Sequence, residues 1–462
     1  MNSTTIAAIA TPSGYGGIGI IKISGPDAVR AGMSLFRRQQ PRPGLSEYSW
    51  SPESRRLYYG HIIDPEGNRP IDEVMFVVMR GPASYTGEDV VEIQAHAGPL
   101  VLKSILSLLF KQGVRLASPG EFTRRAYLNG RIDLTQSEAV IDLINARSAS
   151  AIDLAMQQLA GEVKTEIQTI SNELLDILAE LEAGIDFPDD VEGNTSTANL
   201  VHRIENSVLT PIRKLIQGHD DHNWRREGLR VVIAGSPNVG KSSLLNQLVN
   251  RDRAIVTEHP GTTRDLVEDG FVINGTPVII TDTAGIHDYP DPIERVGIDK
   301  ALAHIESADL ILFVLDISQP LESAHFNFIE QFQHKPVILV LNKMDLPGQL
   351  TFPEKWQDFP VIRISAKFNQ AIDSLKALVA EQSINDDYSG VDYVVPNLRQ
   401  KQALEECLAS VEAARNGLLE NQSAEFIVID LNEAVTASRK ITGENLEADI
   451  LDRIFERFCV GK

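Results

Sequence analysis

The chain has 462 residues and carries 43 Lys and Arg against 64 Asp and Glu, a formal net charge of −21. That length exceeds what one hydrophobic core organises and predicts about three domains, while 43% apolar and 23% charged residues exclude a disordered or fibrous chain. Two cysteines, Cys407 and Cys459, exclude a disulfide framework and predict a reducing, cytoplasmic compartment. No apolar run is long enough to predict a membrane span, and Met1-Asn2-Ser3-Thr4-Thr5 lacks the basic segment of a secretory signal. The acidic balance repels polyanions at long range, so any RNA contact must be local or arrive with a basic partner.

Residues 1 to 127 mix strand and helix signals. Ile18-Gly19-Ile20-Ile21-Lys22-Ile23 and Val74-Met75-Phe76-Val77-Val78 are short apolar runs bounded by Gly and Pro, which predicts strands. Pro99 to Phe110 carries Leu and Ile at helical spacing and ends before Gly113, a C-terminal stop. From Gly120 to Phe187 there is no proline, and Leu174, Leu175, Leu178 and Leu181 share one face of an amphipathic helix. Leu229 to Ala234, Leu310 to Leu315 and Val337 to Leu341 are continuous apolar runs alternating with helical segments, the pattern of a buried parallel sheet. After Pro396 the proline-free helical texture returns and ends on a stripe of Ile450, Leu451, Ile454, Phe455 and Phe458. His219 to Gly228 and Asn385 to Gly390 flank the central block and read as solvated linkers; a metal pair at His219 and His222 lacks a third ligand nearby.

These textures predict a multidomain α/β and α protein. A mixed α+β amino-terminal domain covers 1–127, a discontinuous helical domain covers 128–225 and 386–462, and an α/β domain with a mostly parallel sheet is inserted at 226–385.

Gly235-Ser236-Pro237-Asn238-Val239-Gly240-Lys241-Ser242 fits G-x-x-x-x-G-K-[ST] between a strand and a helical run. Its glycines let backbone N–H groups curl around phosphate oxygens at the positive end of the following helix. Lys241 supplies charge to the β- and γ-phosphates, and the Ser242 hydroxyl is a Mg²⁺ ligand. Asp282-Thr283-Ala284-Gly285 ends the strand Val278 to Thr281; there Asp282 reaches Mg²⁺ through water and the Gly285 N–H senses the γ-phosphate. Asn342-Lys343-Met344-Asp345 ends the next apolar strand but one. An ionised Asp345 accepts both N1–H and N2–H₂ of guanine, which adenine does not present, so the nucleotide is GTP. Ser365-Ala366-Lys367 supplies a backbone N–H for the guanine O6. Four such strings in this order, each at a strand end, predict a Ras-like P-loop GTPase domain.

Gly261-Thr262-Thr263-Arg264-Asp265 lies where a GTPase places the mobile segment whose threonine completes the Mg²⁺ shell, and Thr263 takes that role. Arg264 reads as an ion-pair partner rather than an arginine finger. The residue after Asp-x-x-Gly, a water-orienting Gln in Ras-like enzymes, is here Ile286, which orients nothing. Asp288, Asp291 and Glu294 are the carboxylates within reach downstream. Asn238 offers a neutral oxygen beside the phosphates, where a monovalent cation would put the charge of a missing arginine finger.

Further strings carry a resemblance. They are Ala10-Thr11-Pro12 with Gly14 and Gly16-Gly17-Ile18-Gly19, Tyr85-Thr86-Gly87-Glu88-Asp89, Pro119-Gly120-Glu121-Phe122-Thr123, Leu128-Asn129-Gly130-Arg131, Ala183-Gly184-Ile185-Asp186-Phe187-Pro188 and Cys459-Val460-Gly461-Lys462. Over essentially its whole length the chain resembles the bacterial tRNA modification GTPases of the MnmE (TrmE) family. The resemblance implies a K⁺-stimulated GTPase whose G domains meet across a homodimer, with Asn238, Thr257, His259 and Thr262 around K⁺, Ser242 and Thr263 on Mg²⁺, and Glu294 positioning the water. The nucleotide contacts it implies are Asn238, Val239, Gly240, Lys241, Ser242 and Ser243; Thr257, Glu258, His259, Pro260, Gly261, Thr262 and Thr263; Asp282, Thr283, Ala284 and Gly285; and Asn342, Lys343, Asp345, Ser365, Ala366 and Lys367. It also implies an MnmG-type flavin-dependent partner in a heterotetramer or larger assembly. Together they would modify C5 of the wobble uridine, position 34, of certain tRNAs to an aminomethyl or carboxymethylaminomethyl group.

The family's folate pocket, for 5-formyl- or methylene-tetrahydrofolate, matches Lys22, Glu92, Arg131 and Lys462. Lys22 stands where arginine is common and Arg131 where lysine is common, while His96-Ala97-Gly98 departs from His-Gly-Gly. Gly14 to Gly19 also fits the dinucleotide pattern G-x-G-x-x-G, but a predicted strand follows it rather than a helix. Cys459 is a candidate thiol near the modification site, or else a small apolar residue ending the last helical stripe. The rival function is an Era-like, ribosome-associated GTP switch that binds RNA without modifying it; Glu405, Glu406, Glu412 and Glu420, where such a protein carries a basic RNA-binding module, disfavour it.

Overall fold

The computed structural model of the chain describes residues 4–39, 50–146, 148–186, 196–249, 269–273, 276–282, 304–383, 394–444, 446 and 448–462. The chain forms two compact units, Met1–Ile141 with Leu159–Leu209 and Ala403–Lys462, and Asp142–Gln158 with Thr210–Gln402.

In chain order the first elements are β1 (Ile6–Ile9), β2 (Gly19–Ser24), α1 (Ala28–Leu35), β3 (Phe36–Arg38), β4 (Leu57–Asp64), β5 (Arg69–Met79), β6 (Val90–Ala95), α2 (Pro99–Lys111), β7 (Arg115–Leu116) and α3 (Glu121–Leu128). The strands form a seven-stranded sheet among the described residues, in the order β3-β4-β5-β6-β2-β1-β7. All pairs are antiparallel except β1 with β7. Alternation sets the faces: Ile21, Ile23, Phe76, Val78, Val91 and Ile93 join one buried cluster with Leu102, Ile105 and Leu109 of α2. A strand, β2, follows Gly14–Gly19, as expected from the sequence, so the glycines do not open a dinucleotide-binding helix. Pro99 starts α2 and Gly113, at φ +83°, follows its end.

The helical elements that follow are α4 (Leu134–Asn145), α5 (Ala149–Ala160), α6 (Glu162–Asp186), α7 (Thr197–Arg203), a π-helical turn at Ile204–Leu209, and α8 (Thr210–Glu227). On α6 the residues Val163, Ile167, Ile170, Leu174, Ile177, Leu178 and Leu181 are buried at three- and four-residue spacing. His219 to Gly228 is not a linker. His219 and His222 are only 5% and 8% exposed on α8, which runs to Glu227. His219 Nδ1 lies 2.7 Å from the Pro396 carbonyl, and Arg226 donates to Gln158 Oε1 at 2.6 Å and to the Val395 carbonyl at 3.0 Å. These long-range polar contacts hold a sequence with little apolar content in a helix. No metal-binding cluster of three or more side chains occurs among the described residues. Asn385 to Gly390 lies outside them.

The inserted unit contributes β8 (Leu229–Ala234), α9 (Lys241–Val249), β9 (Asp269–Ile273), β10 (Thr276–Asp282), β11 (Leu310–Asp316), α10 (Ser323–Phe332), β12 (Val337–Asn342), β13 (Val361–Arg363) and α11 (Ile372–Ser383). Its six-stranded sheet, among the described residues, has the order β13-β12-β11-β8-β10-β9 and is parallel except for β9 against β10. The apolar runs are buried on both faces, which is why they lack polar alternation: Val231 and Ile233 enter one cluster, Val232 and Ala234 the other. The chain closes with α12 (Leu398–Leu419), α13 (Ala424–Thr442) and α14 (Ala448–Phe455). Of these, α13 packs on α6 through a face that includes Ile427, Leu431, Ala434 and Val435.

Candidate functional site

The phosphate loop joins β8 to α9, so it leaves the carboxyl end of a central strand of a parallel sheet, where open α/β folds bind ligands. Two of its glycines are sterically required. Gly235 has φ +147° and a Cβ there would lie 2.3 Å from the Val314 carbonyl; at Gly240, φ +101°, it would lie 2.3 Å from Asn342 Nδ2. Asn238 is exposed and takes φ +64°, a left-handed conformation that asparagine tolerates. Lys241 is 5% exposed, and its Nζ donates to the carbonyls of Gly235 and Ser236, both at 2.9 Å. Val239 is buried, whereas Ser242 and Ser243 are exposed in the first turn of α9, the positive end of the helix dipole, which favours an anion.

Asn342, the last residue of β12 and 2% exposed, ties this loop to the guanine-reading segment. Its Nδ2 donates to the Val239 carbonyl at 2.8 Å and its Oδ1 accepts from the Ala366 N–H at 3.0 Å. The fully buried Ser365 hydroxyl donates to Asp345 Oδ1 at 2.6 Å, orienting an otherwise exposed carboxylate. Lys367 is exposed, its Nζ 5.2 Å from the centroid of the Phe368 ring. Asp282 ends β10 with its backbone opposite Ile233, two residues before the phosphate loop.

Sequence reading missed Asp316. It ends β11 and pairs with Lys343 Nζ at 2.6 Å, the Asp316 side chain being 4% exposed and that of Lys343 32%. Burial alone would push the Asp316 carboxyl up, but Lys343, the Ser318 hydroxyl and the Ser318 N–H outweigh it and hold it below the usual carboxylate range. The signal was present: Asp316 directly follows the apolar run Leu310 to Leu315, as Asn342 follows its own. Thr257, Glu258, His259, Pro260, Gly261, Thr262, Thr263, Thr283, Ala284, Gly285 and Glu294 lie outside the described residues, as do Arg264, Ile286, Asp288 and Asp291.

The amino-terminal unit holds a second cluster. Lys22 lies opposite Glu92 across the β2–β6 ladder. Lys22 Nζ lies 5.2 Å from the Tyr85 ring centroid and 5.5 Å from that of Phe122, and the Arg131 guanidinium lies 5.2 Å from that of Tyr85. Burial lowers the Lys22 ammonium below the ordinary lysine value, with Glu92 opposing and Lys462 adding to the shift. The same pressure raises the Tyr85 phenol, whose oxygen pairs with Thr123 Oγ1 at 2.9 Å. A cavity of ≈ 420 Å³ beside them is lined by Arg55, Met79, Pro82, Ser84, Tyr85 and Arg131. The carboxyl terminus folds back here: the Lys462 carbonyl accepts from the Phe122 N–H at 3.2 Å, and Gly461, at φ +97°, leaves no room for a Cβ against the Ile9 carbonyl. Lys22, Glu92, Arg131 and Lys462 are thus gathered at one place. Cys459 is exposed beyond the end of α14, not packed as the apolar end of its stripe.

A family model for the MnmE helical domain matches residues 134–459, and one for the GTP-binding protein TrmE amino terminus matches residues 5–131. The tRNA modification GTPase MnmE of Carboxydothermus hydrogenoformans is 41% identical over 471 aligned positions that span all of both chains. The protein of that name from Geobacter sulfurreducens is 42% identical over 461, covering 99% of each. Among solved structures, a variant of Era from Aquifex aeolicus bound to GDP and AlF₄⁻ covers 39% of this chain and 66% of its own at 27% identity and a TM-score of 0.28.

Proposed function

We propose that this chain, which belongs to the MnmE family of tRNA modification GTPases, is a K⁺-stimulated GTPase that acts with a flavoprotein partner on the wobble uridine of tRNA. The observation that carries the nucleotide half is the Asn342 bridge, one buried amide bonded both to the phosphate loop and to the guanine-reading segment. The cradle suits a guanine nucleotide: glycines stand where any side chain would collide, a buried ammonium lies under the loop, and a carboxylate is held by Ser365. Asp345 accepts the guanine N1–H and N2–H₂, while Lys241 carries charge to the β- and γ-phosphates. Ser242 and Thr263 would hold Mg²⁺, which supplies further charge to those oxygens. With Ile286 unable to orient water, one of Asp288, Asp291 and Glu294 would take that role, and the resemblance to the family selects Glu294. Asn238, with Thr257, His259 and Thr262, would hold K⁺, which when bound supplies the charge of an arginine finger. Two G domains meeting across a homodimer would close over that site and drive hydrolysis, excluding bulk water but not the attacking one.

The cluster around Tyr85 suits an anionic aromatic ligand, since two cations flank one ring beside a cavity. Lys22, Glu92, Arg131 and Lys462 would hold a tetrahydrofolate, which supplies a one-carbon unit when bound. The product would be an aminomethyl or carboxymethylaminomethyl group at C5 of uridine 34. With a net charge of −21, most tRNA phosphate contacts fall to the MnmG-type partner. Among the described residues no helix is long and apolar enough to cross a membrane.

Two measurements test the reading. Hydrolysis in KCl should exceed that in NaCl severalfold, and equal rates would remove Asn238 from its role. Nucleoside analysis of tRNA from cells lacking the chain should show altered wobble uridines; unaltered ones overturn the modification half while leaving the GTPase half standing.

A further inference from the structure

The phosphate loop has an attachment that binds no nucleotide. Its second residue, Ser236, has its hydroxyl 2.8 Å from Nε2 of His325, the third residue of α10 and 89 positions away in sequence. His325 is 8% exposed and packs edge-on to Phe313, ring centroids 6.1 Å apart, beneath the end of β11. Its other ring nitrogen, Nδ1, lies 2.9 Å from the Glu322 backbone N. An N–H can only donate, so Nδ1 must accept and carries no proton; in the neutral ring Nε2 then bears the hydrogen and donates to Ser236 Oγ. The ring is held from its far side by the start of its own helix, a capping box in which the Glu322 side chain also accepts from the His325 N–H.

We propose that His325 is a positioning residue of the phosphate loop: as its Nε2–H tautomer it holds Ser236, and with it the first half of the loop, in the conformation that receives the phosphates. Three attachments then fix the loop. Lys241 grips the carbonyls of Gly235 and Ser236, Asn342 grips Val239, and His325 grips the Ser236 hydroxyl. The first two residues belong to motifs that also serve the nucleotide, whereas His325 acts only through Ser236. Its contribution is preorganisation: a loop already held in shape loses less freedom when GTP arrives, so the effect falls on KM rather than on kcat. The same ring caps α10, which makes the start of that helix a place where a contact is felt at the nucleotide. The proposal rests on residues 235–242 being the phosphate loop.

Two substitutions separate the two ring nitrogens. His325→Asn puts an acceptor where Nδ1 stood, keeping the bond to the Glu322 N–H but falling short of Ser236. His325→Gln carries an amide N–H₂ to the place of Nε2, keeping Ser236 and losing the cap. In the full-length protein, GTP turnover and titration with a fluorescent GDP analogue should show His325→Asn and Ser236→Ala each raising KM and Kd about fivefold at unchanged kcat, the effect of one lost hydrogen bond. The two together should be no worse than either alone. His325→Gln should stay within twofold in KM yet melt at a lower temperature than His325→Asn. If KM instead follows melting temperature across the set, or if Ser236→Ala binds GDP as wild type does, His325 is a helix cap and the proposal is wrong. Failure of the wild type to bind the GDP analogue would refute the phosphate-loop reading itself, a separate outcome of the same titration.

Discussion

Removing the amide of Asn342 should loosen two segments of the nucleotide site at once. Asn342→Ala deletes the donor to the Val239 carbonyl at 2.8 Å and the acceptor of the Ala366 N–H at 3.0 Å, both in a place 2% exposed. Each orphaned group costs about 1–3 kcal/mol, so roughly 2–6 kcal/mol if both stay dry. The space vacated by a carboxamide admits about one water, which can donate to Val239 and accept from Ala366, and this places the expected cost near the low end, about 2–3 kcal/mol. A factor of ten in an opening equilibrium corresponds to about 1.4 kcal/mol, so the amides of the phosphate loop and of the Ser365–Lys367 segment should exchange roughly tenfold or more faster in the nucleotide-free protein. Hydrogen-exchange mass spectrometry of the full chain reads both segments in one experiment. Acceleration confined to residues 365–367 would mean that the phosphate loop is held without Asn342, and the bridge on which the nucleotide reading rests would be refuted.

Two further outcomes follow from named contacts. Asp316 is held below the usual carboxylate range, so its stabilisation is complete above the unfolded-state carboxylate pKa and is lost as pH falls through the lower folded value. Asp316→Asn should therefore lower the melting temperature at pH 7, by the equivalent of about 1.5–3 kcal/mol for hydrogen bonds to a charged group, and should flatten the acid side of the stability profile; an unchanged profile refutes the Lys343 pairing. Gly120 has φ +67°, and a Cβ there would lie 2.5 Å from the Phe455 carbonyl, so Gly120→Ala should cost about 1–3 kcal/mol in a thermal melt, a cost absent if the turn can shift.

The elements most legible in the sequence were those whose signal is local. The runs at Leu229, Leu310 and Val337 became β8, β11 and β12, within a residue of their expected ends, because strands buried on both faces need apolar residues without interruption. The α6 stripe followed for the same reason, with Ile177 fully buried and Leu175 only partly so. Pattern failed at His219 to Gly228, where every residue but the last continues a helix despite little apolar content. Periodicity measures what a segment buries by itself, whereas the end of α8 is stabilised by Pro396, Val395 and Gln158, whose positions no local window contains.

The same distinction separates motif from site. Sequence names Asn342 as a guanine reader, but its bond to Val239 spans 103 residues, and that of His325 to Ser236 spans 89. Neither follows from spacing, because a parallel sheet sets strand ends side by side in an order that chain order does not give. In β12-β11-β8-β10 the loops after β12 and β8 stand on either side of the one after β11, which supplies Asp316 to Lys343 and leads into the helix that bears His325. A sheet of this order thus makes the segment after β11 the natural support for both nucleotide loops. Its residues need no nucleotide contact to matter, and a search for ligand-binding motifs passes over them.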